Sequence, residues 1–579
     1  MIQLKYSEIL KLNKELENNI KSSSYRIVIL SNIIVHQIKE ILEYSLRSAA
    51  INANVEFGDY DNIIQDSHKY KDSNAIIIFW ELSNIIDGIQ YKIELMNRDQ
   101  LDELFNKTKS EIDLMLKTLE NAPIVLINKF TSLPFSHYNI SKSYFDKLAK
   151  KLNHYLEKKI PDNVRLIDFE KVISLVGVSK SLDLRYYYSS KALYTIDFFK
   201  VYVEYIKPFM ISANGKSKKA LIFDCDNTLW KNILGEDGFD NIEMSPNTKD
   251  GAIFAEIQSI ALALNKKGVL IGLCSKNNPG DINEVLESHS DMQLKNDHIT
   301  INKSNWSDKV TNLKEISKEL NIGLDSLVFI DDSSFEVSLI RQKLPEVTVL
   351  QVPKLLYEYP KMLRENMPLF YNLSFTAEDE KKIDMYKNQA NRKAAEKEFS
   401  DIEDYLSSLE LEMTIFEDDE SIIPRMSQMS QKTNQFNLTT KRYTERNIKN
   451  YIDDLNTMVF AFSISDKFGD SGITGLSICT SNGGNYMIEI DTLLMSCRVI
   501  GRNIEYAFLD HIIHKIKEKK ITEVKAKYIK TAKNEQVSQF FDNCFFDLID
   551  ENDLVKNYML AVKRYKPKEL DYINIVSAK

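Results

Sequence analysis

The sequence predicts a multidomain α/β protein, and three observations carry that reading. Short apolar runs alternate with helical patterns over residues 1–210 and again over 217–360, as in parallel sheets wrapped by helices. From residue 411 onward several strand-like runs precede two helical patterns, which predicts a further domain of mixed α/β type. With 579 residues the chain exceeds what one hydrophobic core accommodates, so division into domains is expected.

In residues 1–210, the runs 26–30, 75–79, 124–127 and 164–167 read as strands of a flavodoxin-like parallel sheet. The first run leads into Ser31-Asn32, where a serine hydrolase of such a fold would carry its nucleophile. Serine catalysis needs a histidine oriented by a carboxylate. None of His36, His68, His137 and His154 stands in such a context, and neither a Gly-Asp-Ser nor an Asp-x-x-His block is present. A structural or docking role is the expectation. Residues 210–219 are polar and read as a boundary.

The run 221–223 ends in Asp224 and Asp226, separated by one residue. Open α/β sheets bind ligands beyond the carboxyl ends of their strands, and two close carboxylates suit a divalent cation together with nucleophilic and proton-transfer chemistry. An Asp-x-Asp pair alone equally marks a turn, but three blocks follow it. Residues 268–274 form a second apolar run ending in Ser275, a hydroxyl placed to bind a phosphate oxygen. Lys309 opens an amphipathic helix with Val310, Leu313, Ile316 and Leu320 on one face. A cation there opposes the helix dipole, which suggests a task such as neutralising phosphate. Residues 327–330 form a third run, ending in Asp331 and Asp332. Between Leu229 and Thr248 there is room only for a short flap.

These blocks resemble the haloacid dehalogenase superfamily of aspartyl phosphotransferases, with its Rossmann-like fold. The string Asp224-Cys-Asp-Asn-Thr-Leu-Trp230, followed by Gly235-Glu-Asp-Gly238, resembles the FkbH-like branch of polyketide pathways. The resemblance implies Asp224 as nucleophile, Asp226 as general acid/base, Ser275 and Lys309 as phosphate ligands, and Asp224, Asp226, Asp331 and Asp332 around Mg²⁺. Thr228 would be structural, and Trp230 and Glu236 would line the entrance. Ser333-Ser334 replaces the Asn-Pro usual after the second acidic pair. FkbH-like proteins of this length also carry an SGNH-hydrolase-like domain before this one and a GNAT-like acyltransferase domain after it. The implied division is 1–210, 217–360, a charged helical connector at 361–410, and 411–579.

In the last domain, runs at 412–416, 458–464, 472–479 and 486–494 read as strands, with helical patterns at 501–519 and 534–542. Between the last strand and the first helix lies Cys497-Arg498-Val-Ile-Gly501-Arg-Asn503. Amides at a helix start bind anions, and glycine permits close approach of a pyrophosphate. Arg-x-x-Gly-x-Asn is similar to the coenzyme A loop of GNAT acyltransferases, with a changed final residue. The polar run 432–440 also matches the FkbH-like pattern, although a capped turn before Glu445, with Thr444 as N-cap, explains it equally. Arg498, Gly501, Asn434 and Asn437 are therefore candidates for holding an acyl or pantetheine group. Cys497, beside a helix start and Arg498, is the candidate acyl acceptor, since both neighbours favour a reactive thiolate. Cys225 is its rival, turned toward the core by strand alternation.

Composition bounds the class. Apolar residues make up 43% and charged residues 27%, as in folded domains. A net charge of −9 argues against a nucleic-acid partner. No apolar stretch reaches 18 residues and no signal-peptide pattern opens the chain, so no membrane association and a cytoplasmic location are expected. Five cysteines are few and odd in number, against a disulfide framework. The resemblance implies conversion of 1,3-bisphosphoglycerate to a glyceryl thioester on the phosphopantetheine of an acyl carrier protein. Two alternatives stay open: a phosphatase or acyltransferase acting on another phosphorylated acyl substrate, and a non-catalytic module that recruits a carrier protein.

Overall fold

The computed structural model describes the chain except residues 21–22, 374–384, 387, 390–391, 393–394, 397–398, 482–485, 532 and 579. The chain gathers into two compact units: Met1–Asn214 with Arg442–Asn450, and Gly215–Lys441 with Tyr451–Lys579. Both are α/β.

The first unit holds strands β1 (Tyr25–Ser31), β2 (Ala53–Phe57), β3 (Ala75–Phe79), β4 (Val125–Asn128) and β5 (Val164–Ile167). They pair in parallel in the order β2-β1-β3-β4-β5, the flavodoxin-like order. The central β3 is buried along its whole length, as a strand covered by helices on both faces must be. Beyond β1, Asn32 and Glu81 close the sheet end: Asn32 Nδ2 donates to the Glu81 carbonyl, and Tyr194 donates to the Glu81 carboxylate at 2.7 Å. Ser31 Oγ donates to the Ile33 carbonyl. Among the described residues no histidine joins these bonds.

The second unit contains two sheets. One is built from β6 (Ala220–Phe223), β7 (Leu270–Ser275), β8 (Ile299–Ser304), β9 (Leu327–Asp331) and β10 (Thr348–Gln351), all parallel, in the order β10-β9-β6-β7-β8. Strand order reverses at β6, so the crevice between the carboxyl ends of β6 and β9 is where such a fold binds ligands. The other sheet is mixed: β11 (Leu411–Glu417), β12 (Phe436–Asn437), β13 (Thr457–Asp466), β14 (Gly469–Thr480), β15 (Met487–Met495), β16 (Glu523–Ile529), β17 (Asp547–Glu551), β18 (Val555–Ala561) and β19 (Ile573–Ser577). The meander β11-β13-β14-β15 is antiparallel, whereas β15 and β16 run parallel and are joined through the helix Ile504–Glu518. Phe508, Ile512 and Ile516 of that helix pack into the core of this sheet.

The helix expected at 534–542 is instead a three-residue turn, Glu535–Val537, and a four-residue helix, Phe540–Asn543. Val537, Phe540 and Phe541 are buried, and packing three large side chains beside one another overrides a single helical stripe. Of the charged helical connector expected at 361–410, the described residues include the helices Tyr359–Asn366 and Ile402–Ser407, and residues 374–384, 387, 390–391, 393–394 and 397–398 lie outside them. Among the described residues no helix is long and apolar enough to cross a membrane.

Candidate active site

The apolar strands β6 and β9 deliver Asp224 and Asp331 to adjacent carboxyl ends, with Phe223 opposite Ile330 in the register. Asp224 N donates to the Ile330 carbonyl at 2.9 Å, which fixes the residue just past the strand. Asp331 is wholly buried and Asp224 nearly so. Lys309 is the first residue of the helix Lys309–Glu319, held by the N-cap Asp308, and is itself buried. Its Nζ lies 3.0 Å from Asp224 Oδ1 and 2.7 Å from Asp331 Oδ2. Ser275, at the end of β7, is buried near Asp224.

Carboxylate oxygens of Asp224, Asp331 and Asp332 lie within 4.8 Å of one another. One lysine does not neutralise three acids. Burial, only partly offset by Lys309, raises the Asp224 carboxyl from its ordinary 3.8 to about 6. Burial raises Asp331 as well, against Lys309, and burial with the charge of Asp224 raises Asp332. For Lys309 burial works downward, but Asp224 and Asp331 outweigh it and hold the ammonium well above its usual value. An excess of hard oxygen donors with unmet negative charge suits Mg²⁺. The residues present fit that ion.

Asp226 departs from the expected set. Its Oδ1 accepts from Trp230 Nε1 at 3.0 Å and from Leu234 N at 2.9 Å, and its Oδ2 accepts from Asn277 Nδ2 at 2.8 Å. These three donors engage both of its oxygens, and Asp226 is not among the three carboxylates that gather within 4.8 Å of one another. Asn227, at φ 53°, turns the chain here. Trp230, expected at the entrance, is fully buried behind Asp226, whereas Glu236 is exposed on the flap. That flap is a single antiparallel bridge, Lys231 with Glu243, carrying the short helix Leu234–Asp237. Asn277 was not foreseen. Its amide also donates to Ser275 Oγ at 3.0 Å, linking the phosphate-type hydroxyl to Asp226; the run Ser275-Lys-Asn-Asn just past β7 was the available signal. Ser333 caps the helix Ser334–Lys343, and its N–H donates to Asp331 Oδ1 at 2.8 Å, so the change from Asn-Pro leaves this carboxylate anchored. Cys225 is fully buried in the apolar core, and burial pushes its thiol far up.

Cys497 lies elsewhere in this unit. The expected helix start is displaced: Cys497–Val499 is a three-residue turn, and the long helix begins only at Ile504. Gly501 and Asn503 both take left-handed backbone, at φ 91° and 60°, and delay it. Cys497 therefore receives no field from that helix's terminus, which acts only within its first turn. Arg498 is buried, with Nη1 2.8 Å from Met385 Sδ, and Arg502 is held by the buried Asp466 at 3.0 Å. Asn437 is fully buried and accepts from Thr440 N at 2.8 Å. It holds the turn and is not among the residues that line the cavity beside Cys497. Asn434 donates to the Gly215 carbonyl at 2.8 Å. It lines, with Cys497 and Arg498 but without Gly501, a cavity of about 640 Å³.

No family model and no curated protein matches the chain. Among solved structures, the N-terminal part of the protein BF1531 from Bacteroides fragilis, which contains a phosphatase domain and was crystallised with Mg, aligns with a TM-score of 0.55. It is 24% identical and covers 64% of this chain and 100% of its own. Ard1 from Thermoplasma volcanium overlaps 26% of this chain and 97% of its own, with 15% identity and a TM-score of 0.21. The PaiA N-acetyltransferase from Thermoplasma acidophilum, solved with coenzyme A, overlaps 21% and 72%, with 17% identity and a TM-score of 0.18. The last two overlaps are too slight to carry an argument. Over 64% of its length the chain thus shares the fold of the BF1531 segment, and its buried carboxylates and lysine stand at the β6/β9 crevice.

Proposed function

We propose that the protein is a Mg²⁺-dependent phosphatase coupled to acyl transfer, taking 1,3-bisphosphoglycerate and loading a glyceryl group on the phosphopantetheine of an acyl carrier protein. The observation that carries the phosphatase half is the Asp224–Lys309–Asp331 cluster at the β6/β9 crevice, buried and short of positive charge. The BF1531 segment, similar in fold and crystallised with Mg, supports the choice of ion. The acyl-transfer half rests on Cys497 in its cavity and on the resemblance of the motifs to FkbH-like proteins.

In this reading Asp224 Oδ attacks phosphorus and the P–O ester bond breaks, with Asp226 giving a proton to the departing alcohol oxygen. Water then attacks the aspartyl phosphate, Asp226 takes its proton, and Asp224 is restored. Ser275 and Lys309 hold phosphate oxygens throughout. Mg²⁺, when bound by Asp224, Asp331 and Asp332, supplies charge neutralisation at the phosphoryl group. At the second centre the Cys497 thiolate attacks the acyl-phosphate carbonyl; a C–S bond forms, the C–O bond to phosphate breaks, and inorganic phosphate leaves. The carrier thiol then displaces Cys497.

The test incubates the protein with Mg²⁺, 1,3-bisphosphoglycerate made in situ and a pantetheinylated carrier, and weighs protein and carrier by intact mass spectrometry. A glyceryl mass on the carrier is expected, with phosphate release lost in Asp224→Asn and loading lost in Cys497→Ser. Free phosphate without a loaded carrier would replace this reading with a phosphatase of another substrate.

A further inference from the structure

The cavity at Cys497 is walled on one side by the amino end of the phosphatase sheet. Lys219 immediately precedes β6, Asp325 and Ser326 precede β9, and Glu346 precedes β10, and all four line it. Asp224 and Asp331 stand at the opposite, carboxyl ends of the same strands. The two centres are therefore separated by at least the length of β6, about 13 Å at 3.3 Å per residue. The cavity belongs to neither sheet alone: Asn321 donates its amide to the Cys497 carbonyl, and Lys533 pairs with Asp325.

Its charge is unusual for this protein. The chain carries a net charge of −9, yet the lining presents Lys219, Arg425, Lys432, Arg498 and Lys533 against only Asp325 and Glu346. Arg498 is 7% exposed, and among the described residues no carboxylate pairs with it. Burial, together with the nearby charge of Lys533, brings Lys216 down to about 8, and burial does the same to Lys218 against the pull of Asp325. Holding the Arg498 guanidinium out of water, with half-buried lysines beside it, costs stability, a cost that a multiply charged anion relieves. The volume is that of a small-molecule site. Tyr386, itself buried, lines the cavity with Cys497.

We infer that this cavity is a phosphate-ester site shared by the two sheets, which seats a phosphate monoester within reach of the Cys497 thiol. It rests on the reading of Cys497 as acyl acceptor only for what the ester is attached to, since the phosphorylated acyl donor and the phosphopantetheine arm of a carrier share this chemistry. A phosphate seated here is remote from Asp224, so it is bound and not hydrolysed.

The experiment uses the alkylation rate of Cys497 in the full chain. The other four cysteines are buried, so iodoacetamide on the native protein, mapped by peptide mass, reports this thiol. Glycerate 3-phosphate, pantetheine 4′-phosphate, inorganic phosphate and pantetheine without phosphate are compared at equal ionic strength. The phosphate-bearing probes should slow alkylation and pantetheine should not; protection by the glycerate ester alone assigns the site to the donor, and by the pantetheine ester alone to the carrier arm. Lys219→Glu with Lys533→Glu should raise the half-protecting concentration about tenfold or more, the worth of one charge-assisted hydrogen bond. Should that pair fail to fold, Lys432→Glu gives the same readout. Equal alkylation with and without every phosphate probe, or undiminished protection in a folded charge-reversal variant, overturns the site. The Asp224→Asn protein should keep the protection, so loss of hydrolysis and failure of this site are read separately.

Discussion

Replacing Asp224 by asparagine should stabilise the metal-free protein while abolishing phosphate release. Burial holds this carboxyl at about 6 instead of 3.8, so the folded state disfavours its charged form by about 3 kcal/mol. The favourable contribution of protonated Asp224 is complete below pH 3.8 and is lost as pH rises through about 6. The side-chain amide of the Asp224→Asn variant carries no charge to penalise. Its advantage should therefore be about 3 kcal/mol above pH 6, about half that at pH 5, and near zero below pH 3.8. In thermal unfolding with chelator at pH 7.5 the variant should melt about 5 °C or more above the unsubstituted protein. Mg²⁺ binding only the folded state stabilises by mass action, and it should do so more for the unsubstituted protein, whose third carboxylate is intact, narrowing the gap. A variant that melts at or below the unsubstituted protein at pH 7.5 without metal would refute the claim that charge is uncompensated here.

Four further outcomes follow from particular contacts. Lys309→Met strips the cation from buried Asp224 and Asp331; about 3–5 kcal/mol should be lost in the absence of metal, partly restored by Mg²⁺ in a melt but without return of phosphatase turnover. Asn277→Ala removes the donor joining Asp226 and Ser275 and should lower kcat for phosphate release at least tenfold while costing about 1 kcal/mol of stability. Asn437→Ala orphans the half-buried Thr440 N–H; a loss of about 1 kcal/mol is expected, with Cys497 alkylation in the surviving folded fraction unchanged. Gly475 faces Phe462 across β13 and β14, and an added Cβ would lie 1.8 Å from Phe462 Cε1. Gly475→Ala should therefore cost about 1–3 kcal/mol by overpacking, seen as a lower denaturant midpoint.

The strands with unbroken apolar runs were legible without a structure: β3, β6 and β9 are buried throughout, and a strand covered on both faces has no polar position to disguise it. Strands with one wet face were harder. In β16 buried Val524, Ala526 and Tyr528 alternate with Glu523, Lys525 and Lys527, and lysine and glutamate are depleted in strands. β2 is similar, with Asn54 and Glu56 alternating with Ala53, Val55 and Phe57. β17 is exposed along its length and owes its place to pairing with β18, which no local pattern reveals.

Asp224, Ser275, Lys309 and Asp331 could be assembled from sequence order alone, because each ends a parallel strand or opens the helix behind one. Parallel topology brings all carboxyl ends to one edge, so chain position determines spatial position there. Asp226 could not be placed that way. Its carboxylate is aimed by Trp230, Leu234 and Asn277, and only the folded flap and the β7 loop bring those donors together. Likewise the helix start that Cys497 was expected to enjoy gave way to two left-handed residues, Gly501 and Asn503. What surrounds this thiol instead is a set of cations from the residue before β6, the loop after β16 and the helix before β12, chain-distant segments that line one cavity. The acidic crevice was written in local patterns, whereas the cationic cavity exists only through tertiary packing.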